Sequence, residues 1–392
     1  MLITSKQATK VYNIAAHVVV YCAIAFASIE GTVNKYHLGL HKDLETSNGT
    51  IYHNDLREIV DGTAARPFVY RRLLADTANT ADHIVDRAVP NSWKQAPSDV
   101  EGIEPHTLLH SYILHYPIAD FDTNTALKYG IRYDVIYAMN LLSSLIIIWS
   151  MYGICTKLHI PKVSAICAPG IFMLLLPYLE SGGGYAYDYP EIAFFCVAIY
   201  AVISFKWWVL IPIAILGTWN KESFLLFIPT LYPVLQAKYS SRISRVATCL
   251  VCLASLIVYV WVKREFSACP GGTVEFHLFD QIRYGLYLPM WIARWEFTYG
   301  VPLCRSYLMV PFLIWTAVRG WRVMPDVMKL HTKYAAIINI PLFVLFCGPG
   351  ELRNLSMLFV PLLLFIASNI TMSVTSTFRN TSCDLDEATP VQ

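Results

Sequence analysis

Long apolar segments separated by short polar loops set the strongest limit on how this chain folds. A membrane crossing needs roughly 20 apolar residues, with a range of about 17 to 25. The segments that meet or approach this length are 11–29, 134–156, 163–179, 190–205, 246–263, 301–318, 334–348 and 355–373. A further apolar stretch, 207–236, is interrupted by Trp219-Asn220-Lys221-Glu222. If these segments cross a membrane, nearly all the short loops that carry Lys or Arg fall on the same side.

The composition places the chain in the class of membrane proteins with several crossings. Its 392 residues are 55% hydrophobic and 15% charged, and the mean hydropathy is +0.45. Soluble domains carry about 25% charged residues. A net charge of +2 and the lack of any basic block in the sequence exclude nucleic acid as a partner. The expected surrounding of the chain is the lipid bilayer.

The interrupted stretch 207–236 decides the topology. Cytoplasmic loops carry the excess of Lys and Arg. With a cytoplasmic N-terminus, the later basic loops stay inside only if this stretch forms two short helices, 207–219 and 222–236. The turn Asn220-Lys221-Glu222 between them then points outward. We therefore predict an all-α, polytopic bundle of about ten membrane helices with both termini cytoplasmic.

The predicted organisation is a single integral-membrane domain, 1–373, followed by a polar cytoplasmic tail, 374–392, whose composition is typical of disorder. Residues 31–133 form the first outer loop, which is too long to be a simple connector. Within it, apolar and basic residues alternate from Arg66 to Leu74 and predict an amphipathic helix at the membrane interface. Residues 106–118 predict a second one.

Three outward-facing segments carry polar residues that suit a functional site. Ionisable groups at membrane depth are costly and usually line a cavity or pair with each other, and Arg suits bidentate contact with phosphate. The candidates are Asp188 after a run of three glycines, the turn residues Asn220, Lys221 and Glu222, and Glu351 and Arg353 after Gly350. Each has a structural alternative: Asp188 caps the next helix, Lys221 and Glu222 neutralise each other, and Glu351 and Arg353 form a local ion pair.

The first helix and first outer loop supply further charged candidates. They are Glu30, Asp55, Asp61, Arg66, Arg71 and Arg72. A group transfer to a hydroxyl needs a base within hydrogen-bond reach, which a carboxylate can provide. The alternative for the arginines is extension toward lipid headgroups. The histidines of the loop form no zinc-binding pattern, so we predict neither a metal site nor a cofactor, with a divalent ion as an open alternative.

Four short motifs carry a resemblance to a known family. They are Arg66-Pro-Phe-Val-Tyr-Arg71, Tyr187-Asp188-Tyr189-Pro190-Glu191, Asn220-Lys221-Glu222-Ser223 and Gly350-Glu351-Leu-Arg353-Asn354. With them the chain resembles the C-type (GT-C) integral-membrane glycosyltransferases, especially bacterial proteins of surface-polysaccharide assembly. It is similar in plan, with a helical bundle and a large first outer loop. It departs from the superfamily in having no Asp-x-Asp or Glu-Asp pair in that loop and no soluble C-terminal domain.

The resemblance implies transfer of a sugar from a polyprenyl-phosphate donor to a glycan, lipid or protein acceptor. The reaction would take place on the outer face of a bacterial inner membrane. Glu30, Asp55 or Asp61 would be the base, and Arg71, Arg72, Lys221 and Arg353 would bind the lipid phosphate. Three other hypotheses stay open: a transporter or flippase of a lipid-linked glycan, a polysaccharide polymerase or ligase, and a non-enzymatic assembly protein. Broken helices also occur in transporters, but the short basic inner loops and the lack of an internal sequence repeat count against that function.

Overall fold

The computed structural model of the protein is predominantly helical and contains two short antiparallel hairpins. The structure describes residues 5–36, 43–45, 51–53, 55–88, 123–180, 184–271, 276–287, 295–298, 301–304, 309–348 and 350–387. Among these residues, the helices long and apolar enough to cross a membrane are five: Ala15–Val33, Tyr129–Lys157, Lys162–Leu179, Ser241–Glu265 and Leu352–Thr375. The helical membrane class is therefore confirmed, whereas the total of ten crossings stays a prediction.

The elements are numbered in chain order. The first helices are α1 (Ser5–Tyr36), α2 (Leu56–Asp61), α3 (Arg72–Ala88), α4 (Thr123–Lys157), α5 (Lys162–Leu179), α6 (Asp188–Ser204) and α7 (Leu210–Asn220). They are followed by α8 (Ser223–Phe227), α9 (Tyr232–Gln236), α10 (Ser241–Glu265), α11 (Leu278–Leu286), α12 (Met309–Trp321), α13 (Asp326–Phe346) and α14 (Phe359–Glu387). Short 3-10 helices occupy Phe68–Tyr70, Trp207–Val209, Ile228–Leu231 and Leu352–Leu358. The paired strands are β1 (Asp43–Glu45) with β2 (Ile51–His53), and β3 (Trp295–Thr298) with β4 (Val301–Cys304).

The apolar stretch 207–236 is broken at the predicted position. α7 ends at Asn220, Lys221 has an extended backbone with φ −157° and ψ 132°, and α8 begins at Ser223. Pro229 and Pro233 then lack the amide hydrogens that would continue one regular helix, so α8, a 3-10 turn and α9 follow one another. The prediction of two short apolar segments instead of one crossing is confirmed.

The first outer loop differs from its predicted outline. The helix expected to begin at residue 134 begins at Thr123, so α4 reaches well into the predicted loop. The amphipathic helix expected from Arg66 begins at Arg72 as α3, because Pro67 and the 3-10 turn precede it. Leu73, Leu74 and Ala75 form part of its buried face. The amphipathic helix predicted at 106–118 lies outside the described residues.

Two boundaries near the C-terminus also differ. Residues 301–304 form strand β4, and the helix predicted to start at 301 starts at Met309. A short apolar run fits a strand as well as a helix, and periodicity alone does not separate them. The last helix continues to Glu387 instead of ending at residue 373. Residues 374–387 contain neither Gly nor Pro to end it, so most of the predicted tail is helical.

The core of the bundle surrounds α6. This helix is apolar around its whole circumference, which is the pattern of a helix enclosed by others, and side chains such as Phe195 and Ile199 are buried. α4 and α7 pack against it. By contrast, α10 exposes a row of large apolar side chains that includes Leu253 and Ile257, as a lipid-facing helix does. The first turn of α6 is likewise buried among the surrounding helices.

Candidate functional site

Charged side chains from four separate segments, some buried and some partly exposed, meet where α6 begins. We call this group the ionic cluster, and its members are Arg71, Asp188, Glu191, Lys221, Glu222, Glu351 and Arg353. Four carboxylates in it face three cations. Charges removed from water in this way are tolerated only when they are paired and hydrogen-bonded. Each cation of the cluster is paired with at least one of its carboxylates.

Lys221 connects the α7–α8 turn to the first turn of α6. Its Nζ lies 2.6 Å from Glu191 Oε2 and 3.6 Å from Asp188 Oδ1. Ser223 donates a hydrogen bond of 2.5 Å to Glu191 Oε1. The positive end of the α6 dipole also favours the two carboxylates. Lys221 thus pairs across the bundle, not with Glu222 beside it as the structural alternative proposed.

Arg353 also contacts the Asp188 carboxylate. Its Nη1 lies 3.2 and 3.1 Å from the two oxygens of Asp188, and its Nη2 lies 3.4 Å from Glu351 Oε1. Glu351 Oε2 accepts a hydrogen bond of 2.8 Å from Asn354. The expected local pair of Glu351 with Arg353 therefore exists, but Arg353 also reaches α6. Asp188 joins two cations and is the centre of the cluster.

Arg71 and Glu222 form the accessible edge of the cluster. Arg71 Nη2 lies 3.4 Å from Glu222 Oε1, and the Glu222 side chain is 30% exposed. Arg71 also donates to the Tyr187 hydroxyl, with its guanidinium 4.1 Å from the centre of that ring. Burial is the largest single influence and would raise the pKa of the Glu222 carboxyl. The charge and hydrogen bond of Arg71, a backbone hydrogen bond and the charge of Lys221 together outweigh it and hold that pKa below its ordinary value. Glu222 is therefore ionised at neutral pH.

Two stacked tyrosines support the guanidinium groups. The rings of Tyr185 and Tyr187 lie 5.2 Å apart with an interplanar angle of 9°. The Arg353 guanidinium lies 4.8 Å from the Tyr185 ring, as Arg71 lies over Tyr187. The negative face of an aromatic ring attracts such cations. The segment just before α6 therefore orients both arginines.

Several buried polar atoms around the cluster have no hydrogen-bond partner within the described structure. They are both carboxyl oxygens of Glu180, the Nε atoms of Arg71 and Arg353, Asn220 Oδ1 and Glu222 Oε2. Buried polar groups are normally satisfied, because leaving one unpaired costs about 1–3 kcal/mol. Both donors and acceptors are included, so the site has hydrogen-bonding capacity left for a polar ligand.

Glu180 stands out among these groups. It follows α5 directly and is fully buried, at 0% exposed. Burial, followed by the negative charge of Asp188, raises the pKa of its carboxyl well above the ordinary value, against the opposing charges of Arg353 and Lys221. Its position therefore favours the protonated form of Glu180 over the ionised form.

The three carboxylates predicted as bases bond to residues outside the ionic cluster. Glu30 accepts a hydrogen bond of 2.5 Å from Tyr137 of α4. Asp55 is the N-cap of α2, where it accepts from the backbone of Arg57 and Glu58 in a capping box. Asp61 accepts a hydrogen bond of 2.6 Å from Tyr129 and lies 3.6 Å from Arg132.

Of the other residues predicted to bind substrate, Arg66 and Arg72 lie outside the ionic cluster and Asn220 lies at its border. Arg66 donates to the Gly271 carbonyl, and Arg72 donates to the Ile59 carbonyl and pairs with Asp76 at 2.6 Å. Arg66 thus connects the first loop to the segment after α10, and Arg72 connects two parts of the first loop. Asn220 donates a hydrogen bond of 3.0 Å to the Tyr187 carbonyl and so belongs to the border of the cluster.

Sequence reasoning missed Glu180, Glu191 and the two tyrosines as site residues. Glu180 ends an apolar segment, and a charged residue at that depth is itself a signal. Glu191 lies in the first turn of a buried helix, where a carboxylate is also unusual. The tyrosines carry no comparable signal because the chain contains 24 of them.

The described residues include no group of three or more His, Cys, Asp or Glu side chains suited to a metal ion. Comparison of the chain with family models, curated proteins and solved structures gives no match. The function is therefore argued from the site itself.

Proposed function

We propose that the protein is a membrane glycosyltransferase that moves a sugar from a polyprenyl-phosphate donor to an acceptor hydroxyl on the outer face. The observation that carries this proposal is the pairing of Arg71 with Glu222 at the accessible edge of the ionic cluster. A carboxylate that can take a proton and a cation that can hold a phosphate lie there side by side. Each of the four motifs on which the resemblance rests contributes a side chain to the cluster.

In the proposed reaction Glu222 is the base. The acceptor hydroxyl gives its proton to Glu222, its oxygen bonds to the anomeric carbon of the sugar, and the bond from that carbon to the phosphate oxygen breaks. The electron pair of the broken bond stays on the departing phosphate. Once Glu222 is protonated it no longer neutralises Arg71, which becomes free to stabilise the phosphate. Proton uptake and phosphate binding are thus coupled in one ion pair.

This proposal moves the role of base from Glu30, Asp55 and Asp61 to Glu222. The contacts of Asp55 and Asp61 suit structural roles in the first loop. Lys221 pairs with Asp188 and Glu191, and Arg353 pairs with Asp188 and Glu351. Their task in the proposal is to fix the first turn of α6 next to Arg71 and Glu222. The Nε of Arg71 is buried and has no hydrogen-bond partner among the described residues.

Purified protein in nanodiscs tests the proposal. With a panel of polyprenyl-phosphate sugars and saccharide acceptors, the wild type is expected to release polyprenyl phosphate. Glu222→Gln is expected to lower that release by about 100-fold or more, the usual contribution of a positioned base. Glu265→Gln removes an exposed carboxylate at the end of α10 and is expected to change nothing. Full activity of Glu222→Gln would refute the assignment of the base, and no release from any donor would refute the transferase.

One observation favours the transporter as a second candidate. Glu180 is a buried carboxyl without a hydrogen-bond partner in the described structure, at the end of a helix long enough to cross a membrane. Such groups mark proton relays and substrate paths in transporters. The test is whether a pH gradient drives a lipid-linked glycan across the membrane of proteoliposomes. Such movement, without release of polyprenyl phosphate, would favour this function over the transferase.

The orientation of the bundle is part of the proposal and has its own test. Ser267 and Arg242 are exposed near opposite ends of α10. With an outward-facing cluster, a membrane-impermeant thiol reagent is expected to label Ser267→Cys in intact cells and Arg242→Cys only after lysis. The signal is scored above that of the unsubstituted chain, which has ten cysteines of its own. The reverse pattern would place the cluster in the cytoplasmic leaflet.

A further inference from the structure

A basic groove lies where the end of α10 meets the first outer loop. Its cavity measures about 360 Å³ and is lined by Arg66, Tyr70, Val260, Lys263, Arg264 and Ser267. It is separate from the ionic cluster, but the short segment 66–71 connects the two, since Arg66 lines the groove and Arg71 belongs to the cluster.

The charged side chains that line the groove are all positive, whereas those of the ionic cluster have both signs. Three of its six lining residues are cations, and none of these six is acidic. Lys263 donates a hydrogen bond of 2.9 Å to the Tyr259 hydroxyl. Arg66 donates to the Gly271 carbonyl, and its buried Nε has no hydrogen-bond partner among the described residues. Lys263 and Arg264 are exposed. Three neighbouring cations, with no acidic residue among the six that line the groove, attract an anion.

The position of the groove indicates where that anion comes from. Val260, one of the lining residues, is 54% exposed and continues the apolar outer face of α10. Trp261 follows it and packs edge-on against Trp219 at 6.2 Å. Exposed apolar side chains that give way to Trp, Lys and Arg mark the boundary between acyl chains and headgroups. A molecule in the groove can therefore place an apolar chain along α10 and a charged group among the cations.

We infer that this groove binds the phosphate headgroup of a membrane lipid. The phosphate would contact Arg66, Lys263 and Arg264, and the hydroxyls of Tyr70 and Ser267 would provide further hydrogen bonds. The site does not rest on the proposed transferase. If that proposal holds, the bound lipid is the phosphate-linked donor, next to the segment that carries Arg71.

Lysine and arginine side chains at helix ends also extend toward any headgroup, so the test must separate a defined site from general adhesion. Native mass spectrometry of the full-length protein in detergent, titrated with phosphatidic acid, is expected to show one retained lipid per chain. Phosphatidylcholine is expected to show none. Equal retention of the two lipids would overturn the inference, as would displacement of phosphatidic acid by an equal concentration of inorganic phosphate.

Matched variants of one helix locate the site. Lys263→Gln with Arg264→Gln is expected to weaken phosphatidic acid binding by roughly tenfold or more, because each Lys or Arg near a membrane surface contributes about 1 kcal/mol, which is about fivefold. Arg242→Gln with Arg245→Gln removes the same charge from exposed positions at the other end of α10 and is expected to leave binding unchanged. Equal binding by the two double variants would overturn the assignment. Since this assay measures binding alone, a failed transferase assay leaves its result standing.

Discussion

Lys221 and Glu191 form an ion pair with Nζ and Oε2 2.6 Å apart, and their side chains are only 6% and 3% exposed. The pair joins the turn between two short apolar helices to the first turn of the central helix α6. Because a buried charge without its partner is strongly unfavourable, the pair fixes the turn in place. The position of Glu222, the next residue, therefore depends on a contact in which Glu222 takes no part.

Lys221→Met is expected to destabilise the protein by about 3–5 kcal/mol, since it leaves Glu191 and Asp188 buried with one cation fewer. Thermal unfolding in detergent measures the loss. The double variant Lys221→Met with Glu191→Gln removes both charges and is expected to recover most of the stability. If the double variant is no more stable than the single one, the pair is not the contact that holds the turn.

Asp55 provides a test of a structural role against a catalytic one. It caps α2 with both a side-chain oxygen and the reciprocal contact from Glu58. Asp55→Ala is expected to cost about 0.5–2 kcal/mol, whereas Asp55→Asn keeps the capping oxygen and is expected to cost much less. Both variants are expected to keep transferase activity once corrected for folded protein. Loss of activity in a stably folded Asp55→Asn would restore Asp55 as the base.

Charge distribution in the sequence predicted the break at Lys221 because a single crossing would have placed the later basic loops on the wrong side. It also identified Asp188, Lys221 and Arg353, which the structure brings into one cluster. Ionisable residues are rare in apolar sequence, so each was visible without knowledge of its partner.

The partners themselves could not be predicted. Lys221 pairs with Glu191 and Arg71 with Glu222, residues 30 and 151 positions apart in the chain. Such pairs depend on how helices pack, and helical periodicity describes only which face of one helix is apolar. The raised pKa of Glu180 likewise results from burial and from charges supplied by other segments. Only the start of the apolar run 301–318 was mispredicted, because a short apolar run fits a strand as well as a helix.

Glu180 predicts a dependence of stability on pH. Its carboxyl has a raised pKa in the folded protein, while the unfolded chain keeps a value near the ordinary 4.5. Above that pH the unfolded chain loses the proton and the folded protein keeps it, so this group lowers stability progressively as pH rises toward the folded pKa. Glu180→Gln removes the effect and is expected to unfold at a higher temperature than the wild type at about pH 8, with little difference at about pH 4. Parallel unfolding temperatures for the two proteins across this range would show that Glu180 ionises normally.

Gly320 predicts a packing defect at the crossing of α12 and α14. A methyl group at this position would lie 2.7 Å from both the Cα and the carbonyl oxygen of Phe365. Backbone atoms cannot move aside as a flexible side chain does, so the two helices would have to separate. Gly320→Ala is expected to lower stability by about 1–3 kcal/mol. Gly130→Ala in α4 is the matched control, because the described part of the chain places no atom within 4 Å of the added methyl group apart from the neighbouring backbone of its own helix. Alanine there is expected to be neutral or stabilising by up to about 1 kcal/mol. Thermal unfolding of both variants in the same detergent checks the pair, and equal unfolding temperatures would contradict the close approach of α12 to α14.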